Sequence, residues 1–377
     1  SELLTVFDLQ HVDPTLNTAL HPKSMLLSFN NGLTGNLAEL QHFPRLATLG
    51  LTQTGIAGDL SALAPLESLT TLTVGSNLIG GDVAVFKRFR ILESVYISQP
   101  GASAGVAPRD SAVAPAGLDP GRVYGSITSL DACVRLMHVK LGSTAVTGNI
   151  EVLGELRLLR TIDLSFTKVE GNLGSLAALA NLEVLSLQHT ACKGDVWHAS
   201  RWPNLRILDL DSCADVEGDI SCFQGCTALE EVNLTGCNVR GWIDAFARCP
   251  SLRVVTLWNC EKVGGDLACF GSTSTLTVVD VRYCSHVCGD IEALSSSIGL
   301  VELGLGGTNV CGNLSSLLWR LSKLTALHLF ECSGVTGDVS VIESLPCLVK
   351  VNIKGCTKLS GDKAALAKAL PGTMLKM

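Results

Sequence analysis

Aliphatic residues recur along this chain as Leu-x-x-Leu-x-Leu, for example Leu46/Leu49/Leu51, Leu159/Ile162/Leu164, Leu182/Leu185/Leu187, Leu229/Val232/Leu234 and Leu324/Leu327/Leu329. The last two positions alternate with polar ones, which predicts a short strand with one buried face. A second phrase follows each strand: Gly, then Asp or Asn, then an aliphatic residue, as in Gly58-Asp59-Leu60 and Gly289-Asp290-Ile291. With looser copies at Gly125, Gly241 and Gly361 there are 14 such marks, and twelve of their thirteen spacings are 23 to 25 residues. The exception runs from Gly81 to Gly125, a gap of 44.

One such unit cannot bury its own leucines, so units must stack and share a continuous core. The period therefore predicts one domain over 1–377. Residues 1–23 form an N-terminal cap, 24–362 about 14 repeats, and 363–377 a C-terminal cap helix with Ala365, Leu366, Ala369 and Leu370 on its apolar side. Asp or Asn at the mark caps a short helical turn by accepting backbone N–H bonds, and the Gly before it supplies an unusual backbone angle. Cys213, Cys237, Cys260, Cys284, Cys332 and Cys356 share one slot after the strand with Thr54, Thr144, Thr167, Thr190 and Thr308. That sharing predicts a ladder of small buried side chains rather than disulfides or metal ligands. Cys222 and Cys226 have metal-like spacing without a second ligand pair, so no metal and no cofactor is expected.

The joined phrase, L-x-x-L-x-L-x-x-[TC]-x-V-x-G-[DN]-L-x-x-L, resembles the leucine-rich repeat family over nearly the whole chain. Its V-x-G-x-[LI] half is similar to the plant-type subclass. The resemblance implies an α/β repeat fold: a right-handed solenoid with a concave parallel β-sheet and short helical or irregular convex segments. The chain lacks the proline that usually follows Gly-x-Ile in that subclass, and has Thr or Cys where Asn is usual. Secreted members begin with a disulfide-clamped cap, and here the first cysteine is Cys133.

Composition narrows the classes. Apolar residues are 47% and charged residues 17%, too apolar for a disordered chain. The longest uncharged stretch, 303–319, holds four glycines and two asparagines, so no membrane span is expected. A net charge of −7 argues against nucleic acid as the partner. The absent cap disulfide favours an intracellular, cytoplasmic location. The start at Ser1 leaves room for a removed targeting peptide and an organelle.

Function, on this reading, belongs to the residues flanking the inward leucines. Near the beginning they are small and neutral. Further along, Asp209, Asp211 and Glu231 cluster, with Asp280 near them, while Trp258, Arg282 and Phe330 share one column, with His328 beside Phe330. Exposed Trp, Arg and Phe are the residue types that dominate interface hot spots. A catalytic reading of these acids with His328 fails, because His328 lies five repeats from Asp209, roughly 24 Å at about 4.8 Å per strand. The long gap inserts about 21 residues, a loop over 99–122 with four prolines and the charged Arg109, Asp110 and Arg122. The sequence thus predicts a non-catalytic protein-interaction module, a scaffold or accessory subunit of a larger assembly. It binds through the concave sheet, the loop or both. The alternative is a ligand-recognising receptor or inhibitor ectodomain of the plant-type class.

Overall fold

The structure, a computed structural model, describes residues 22–30, 32–75, 78–99 and 122–377. The expected cap over 1–23 therefore lies almost wholly outside the described residues, as do Arg109 and Asp110. The chain divides into two compact units, Ser1–Cys192 and Lys193–Met377.

Each unit is a stack of repeats that contributes to two parallel sheets, with strands in strict chain order and 15 and 14 strands in all. The Leu-x-Leu phrase builds the first, here called the main sheet. In the first unit its strands run from Ser24–Leu26 through Thr48–Thr52, Thr71–Gly75, Ser94–Ile97, His138–Lys140 and Thr161–Asp163 to Val184–Ser186. In the second they run from Ile207–Asp209 through Glu231–Asn233, Val254–Thr256, Val278–Asp280, Glu302–Gly304, Ala326–His328 and Lys350–Asn352 to Met374–Lys376. The register places like positions side by side: Val279 lies beside Val255 and beside Leu303. Inward side chains therefore stack into rows, and Leu49, Leu72, Val255, Leu303 and Leu327 are fully buried. Each such side chain contributes about 1.5–3 kcal/mol, but only once its neighbours cover it.

The V-x-G-D phrase, read from sequence only as a turn, forms the second sheet. Val216–Asp219, Asn238–Trp242, Lys262–Asp266 and His286–Asp290 are successive strands of it in the second unit. Short 3-10 turns such as Ile220–Gly225 and Leu267–Phe270 then close each repeat. Asp and Asn cap them as expected: Asp266 Oδ1 accepts from Ala268 N at 2.8 Å and Asn172 Oδ1 from Gly174 N at 2.8 Å. Trp242 replaces the usual residue and makes no side-chain cap bond. Glycine before the cap is required twice over. Gly289 sits at φ 103°, and a Cβ there would overlap the Asp266 carboxylate of the preceding repeat.

Aromatic side chains fill the space under the helical turns. Phe223 and Phe246 stack at 5.6 Å between centroids, and Phe270 and Trp202 are buried alongside the same series of turns. Within 363–377 the α-helix covers only Lys363–Ala369. Beyond it, Met374–Lys376 pairs with Lys350–Asn352, so the end of the chain adds a strand to the main sheet. Pro371 and Gly372 stop the helix and redirect the backbone, which lets the final residues lie along the open edge.

The cysteine slot is a hydrogen-bonded ladder. All fifteen thiols are free, and the six slot cysteines are buried. Cys237, Cys260, Cys284 and Cys332 each donate at 3.1 Å to a leucine or equivalent carbonyl of the repeat before. Threonine in the same slot bonds the carbonyl three residues back in its own repeat, as Thr167 does to Leu164 O at 2.5 Å. Cys222 and Cys226 are buried and donate to Val196 O and Ala199 O. Among the described residues no group of three or more His, Cys, Asp or Glu side chains is placed to hold a metal.

Candidate functional site

The solvent face of the main sheet in the second unit carries one continuous aromatic and basic feature. It begins with two glycines. The strand Glu302–Gly304 and the residue after the next leucine place Gly304 and Gly306 where other repeats have side chains. A Cβ on Gly304 would stand 2.5 Å from Asp280 Oδ1, and one on Gly306 would overlap the Phe330 ring. The two glycines thus clear a trough. From one side Asp280 and Arg282 lean over it, and from the other Phe330 does.

Tyr283 meets Phe330 across this trough, with ring centroids 5.1 Å apart, and Trp258 lies 6.3 Å from Tyr283. Tyr283 reaches that place because its backbone is in the left-handed region, φ 64°, which turns the side chain outward while its N–H still bonds Gly306 O at 2.9 Å. The Arg282 guanidinium lies 6.0 Å from the Trp258 ring centroid. It donates to Asp280 from Nε at 2.8 Å and from Nη2 at 2.5 Å, with Glu302 at 3.8 Å. The Asp280 hydrogen bonds hold the guanidinium more firmly protonated than usual.

His328 flanks the trough, half-buried. Burial, and then the Arg282 charge, lower its pKa below the ordinary imidazole value, with Asp280 opposing. It is therefore neutral at neutral pH. Lys350, Asn352, Met374 and Lys376 complete a cleft of about 330 Å³. Trp258 is 42% exposed and Tyr283 45%, so the aromatic floor is open to solvent.

Of the residues chosen from sequence, Trp258, Arg282, His328 and Phe330 converge in this cleft. The acidic group does not form one patch. Asp280 is 4% exposed and engaged by Arg282, and it stands three strands away from Asp209 through the pairs with Asn233 and Thr256. The alternation of the strand predicted an outward Asp280. It does lie on that face, but the Arg282 guanidinium covers it, while its carboxylate also accepts from Arg282 N at 3.2 Å. Asp209 makes the same local turn, accepting from Asp211 N, while Asp211 accepts from Ser212 Oγ. Glu231 lies 3.6 Å from Arg253. Arg122 is exposed, and its carbonyl accepts from Gly81 N at 2.9 Å.

Sequence reasoning did not single out Tyr283, Lys350, Met374 or Lys376. A signal for Tyr283 existed: glycine fills its slot at Gly236, Gly307 and Gly355, which marks a left-handed position. Met374 and Lys376 lie past Pro371-Gly372, where the expected cap helix ends and the pattern predicts no strand.

The first unit carries a different cleft, about 500 Å³, on the same kind of surface. Thr52, Thr73, Gln99 and Ser165 line it with Tyr96 and Lys140. Tyr96 stacks on His138 at 6.1 Å, and Lys140 Nζ lies 5.7 Å from the Tyr96 ring. The Gln99 side chain accepts from Val123 N at 3.2 Å, tying together the two ends of the long insertion.

No protein-family model matches this sequence, and no curated protein matches it either. Solved structures do match in fold. The Arabidopsis receptor kinase HAESA, solved with the peptide hormone IDA and the co-receptor SERK1, has TM-score 0.70 and 17% identity over 97% of this chain and 59% of its own. The plant peptide hormone receptor RGFR1, in complex with RGF2, has TM-score 0.64 and 20% identity over 90% of this chain and 58% of its own. An internalin from Listeria monocytogenes has TM-score 0.53 and 16% identity over 94% of this chain and 92% of its own. The chain thus spans little more than half the length of the two plant receptors. With the strand order above, these likenesses make the fold that of a leucine-rich-repeat protein.

Proposed function

We propose that this protein is a non-catalytic protein-interaction module that binds a partner on the solvent face of its main sheet, with the cleft of the second unit as anchor. One observation carries the reading. Trp258, Arg282, Tyr283 and Phe330 are brought together at the surface by two glycines, with large aromatic area open to solvent. Exposed aromatic and arginine side chains in a preformed trough are what a hot spot requires.

Two versions of the module are open. As a recognition domain for a peptide or protein ligand it has support from HAESA and RGFR1, both solved with peptide ligands bound. As a scaffold or accessory subunit it has support from the fifteen free thiols, which suit a reducing compartment such as the cytoplasm. The recognition version fits at least as well.

The test is a crosslinking capture from native extract with the full chain, a Trp258→Ala/Phe330→Ala variant and a variant lacking 100–121. Loss of a captured partner with the double variant alone, at unchanged melting temperature, is the expected result. Retention of every partner by the double variant overturns the anchoring role of the cleft.

A further inference from the structure

The charges around the cleft say what kind of segment it accepts. Its aromatic end already holds a cation of its own, since Arg282 lies over Trp258. Both Asp280 oxygens are engaged by that guanidinium, and Glu302 is drawn toward it as well. An incoming cation would find the Trp258 face occupied and the acids satisfied. At the other end Lys350 and Lys376 are exposed, on diagonally related positions of the last strand pair. Neither forms an ion pair with a described residue. Met374 lies exposed beside Lys350, and adds an adaptable apolar surface.

Resting on the binding reading above, we infer that the cleft takes an acidic, extended segment of a partner protein, with one large apolar side chain over Tyr283 and Phe330 and a carboxylate between Lys350 and Lys376. The size agrees. Trp258 and Lys376 are five strand spacings apart, about 24 Å at about 4.8 Å each, which is the reach of about seven extended residues. A volume of about 330 Å³ is at the lower end of the about 300–1,000 Å³ usual for small-ligand pockets, and suits one side chain with its backbone. Apolar burial at one end supplies affinity, and the lysines supply sign selectivity and a faster encounter.

Capped heptapeptides on a Ser/Gly background test this, read by fluorescence anisotropy at about 150 mM salt, where exposed charges more than about 8 Å apart are screened. One peptide carries a phenylalanine near one end and two glutamates near the other, in both chain directions. A second has lysines for the glutamates, and a third lacks the phenylalanine. The first is expected to bind at least tenfold tighter than either control. Lys350→Ala/Lys376→Ala should remove the preference for glutamate over lysine, and Phe330→Ala the preference for phenylalanine. Equal binding of the glutamate and lysine peptides, or no binding of any, overturns the inference. Dimerisation in sedimentation that Phe330→Ala reverses also overturns it, by giving the cleft to a second copy. If the peptides show no preference while Trp258→Ala/Phe330→Ala still releases a crosslinked partner, the ligand chemistry falls and the binding module stands. If the double variant releases nothing, both fall.

Discussion

The two units meet one backbone requirement with different side chains. At the end of each main-sheet strand a carbonyl, usually a leucine's, needs a donor. In the first unit threonine supplies it within the repeat: Thr144 to Leu141 O at 2.6 Å and Thr190 to Leu187 O at 2.6 Å. In the second unit cysteine supplies it from the following repeat, as Cys284 does to Leu257 O and Cys356 to Leu329 O. Thr308 shows both at once, because Leu305 O accepts from its hydroxyl at 2.6 Å and from Cys332 at 3.1 Å. A strong, short-reach donor is thus exchanged for a weak donor that bridges repeats. The same contrast holds at the surface. The first unit's cleft is lined by threonines, serines and one stacked Tyr96–His138 pair, while the second unit's holds Trp258, Tyr283 and Phe330. The units thus differ both in the donors of the slot and in the side chains of the outward columns.

The largest expected difference between the units is their response to alkali. Burial pushes Cys249 and Cys260 up to about 12, and Cys284 higher still, while an unfolded thiol titrates near 9. Between those values the folded chain holds protons that the unfolded chain has released, so stability is full below pH 9 and is lost as pH rises toward 12. In the first unit Cys133 is raised in the same way. All five tryptophans lie in the second unit, and Trp202 is buried there. Its emission should shift to the red well before all circular dichroism is lost. Cys260→Thr/Cys284→Thr should raise the pH midpoint, and an unchanged midpoint would contradict the thiol account.

A middle-sized effect separates the two clefts. Gly306→Ala must displace the Phe330 ring, at about 1–3 kcal/mol, and should abolish binding in the second unit. Gly142→Ala in the first unit meets Ser165 Oγ at 2.7 Å and Asp163 Oδ1 at 2.9 Å, both on small side chains that can rotate away. Chemical denaturation should show less than about 1 kcal/mol for it. Similar losses for the two variants would mean that Phe330 is not held over the trough. The smallest effect concerns the missing cap at Trp242. Trp242→Asp restores the acceptor found in neighbouring repeats and should stabilise by about 0.5–1 kcal/mol, read as slower exchange of the Ile243–Arg248 amides. A loss of protection there would show that the exposed Trp242 ring contributes more than a cap does.

Much of this was legible from periodicity. The main-sheet strands, the Asp and Asn caps, the positive φ of the glycine before each cap and the burial of the slot cysteines all repeat, so a dozen copies average out local noise. Trp258, Arg282, His328 and Phe330 were legible as outward residues of neighbouring repeats, because the column positions follow from strand alternation. The same rule put Asp280 on the right face but said nothing of its burial. Alternation assigns a side chain to a face, and whether a neighbouring guanidinium then covers it depends on the packing. Tyr283 was overlooked because it follows the strand, where alternation no longer applies and the left-handed backbone decides direction.

The sequence by itself determined the repeat, its stacking order and which residues face inward. These depend on spacing along the chain, and every repeat states the same spacing again. Only the tertiary structure decided that the glycine phrase makes a second sheet, that Met374–Lys376 returns as a strand beside Lys350–Asn352, and that Gly304 and Gly306 open a trough for Phe330. Each of those depends on atoms brought together from repeats 21 to 24 residues apart, where one missing Cβ in one strand sets the position of a ring in the next.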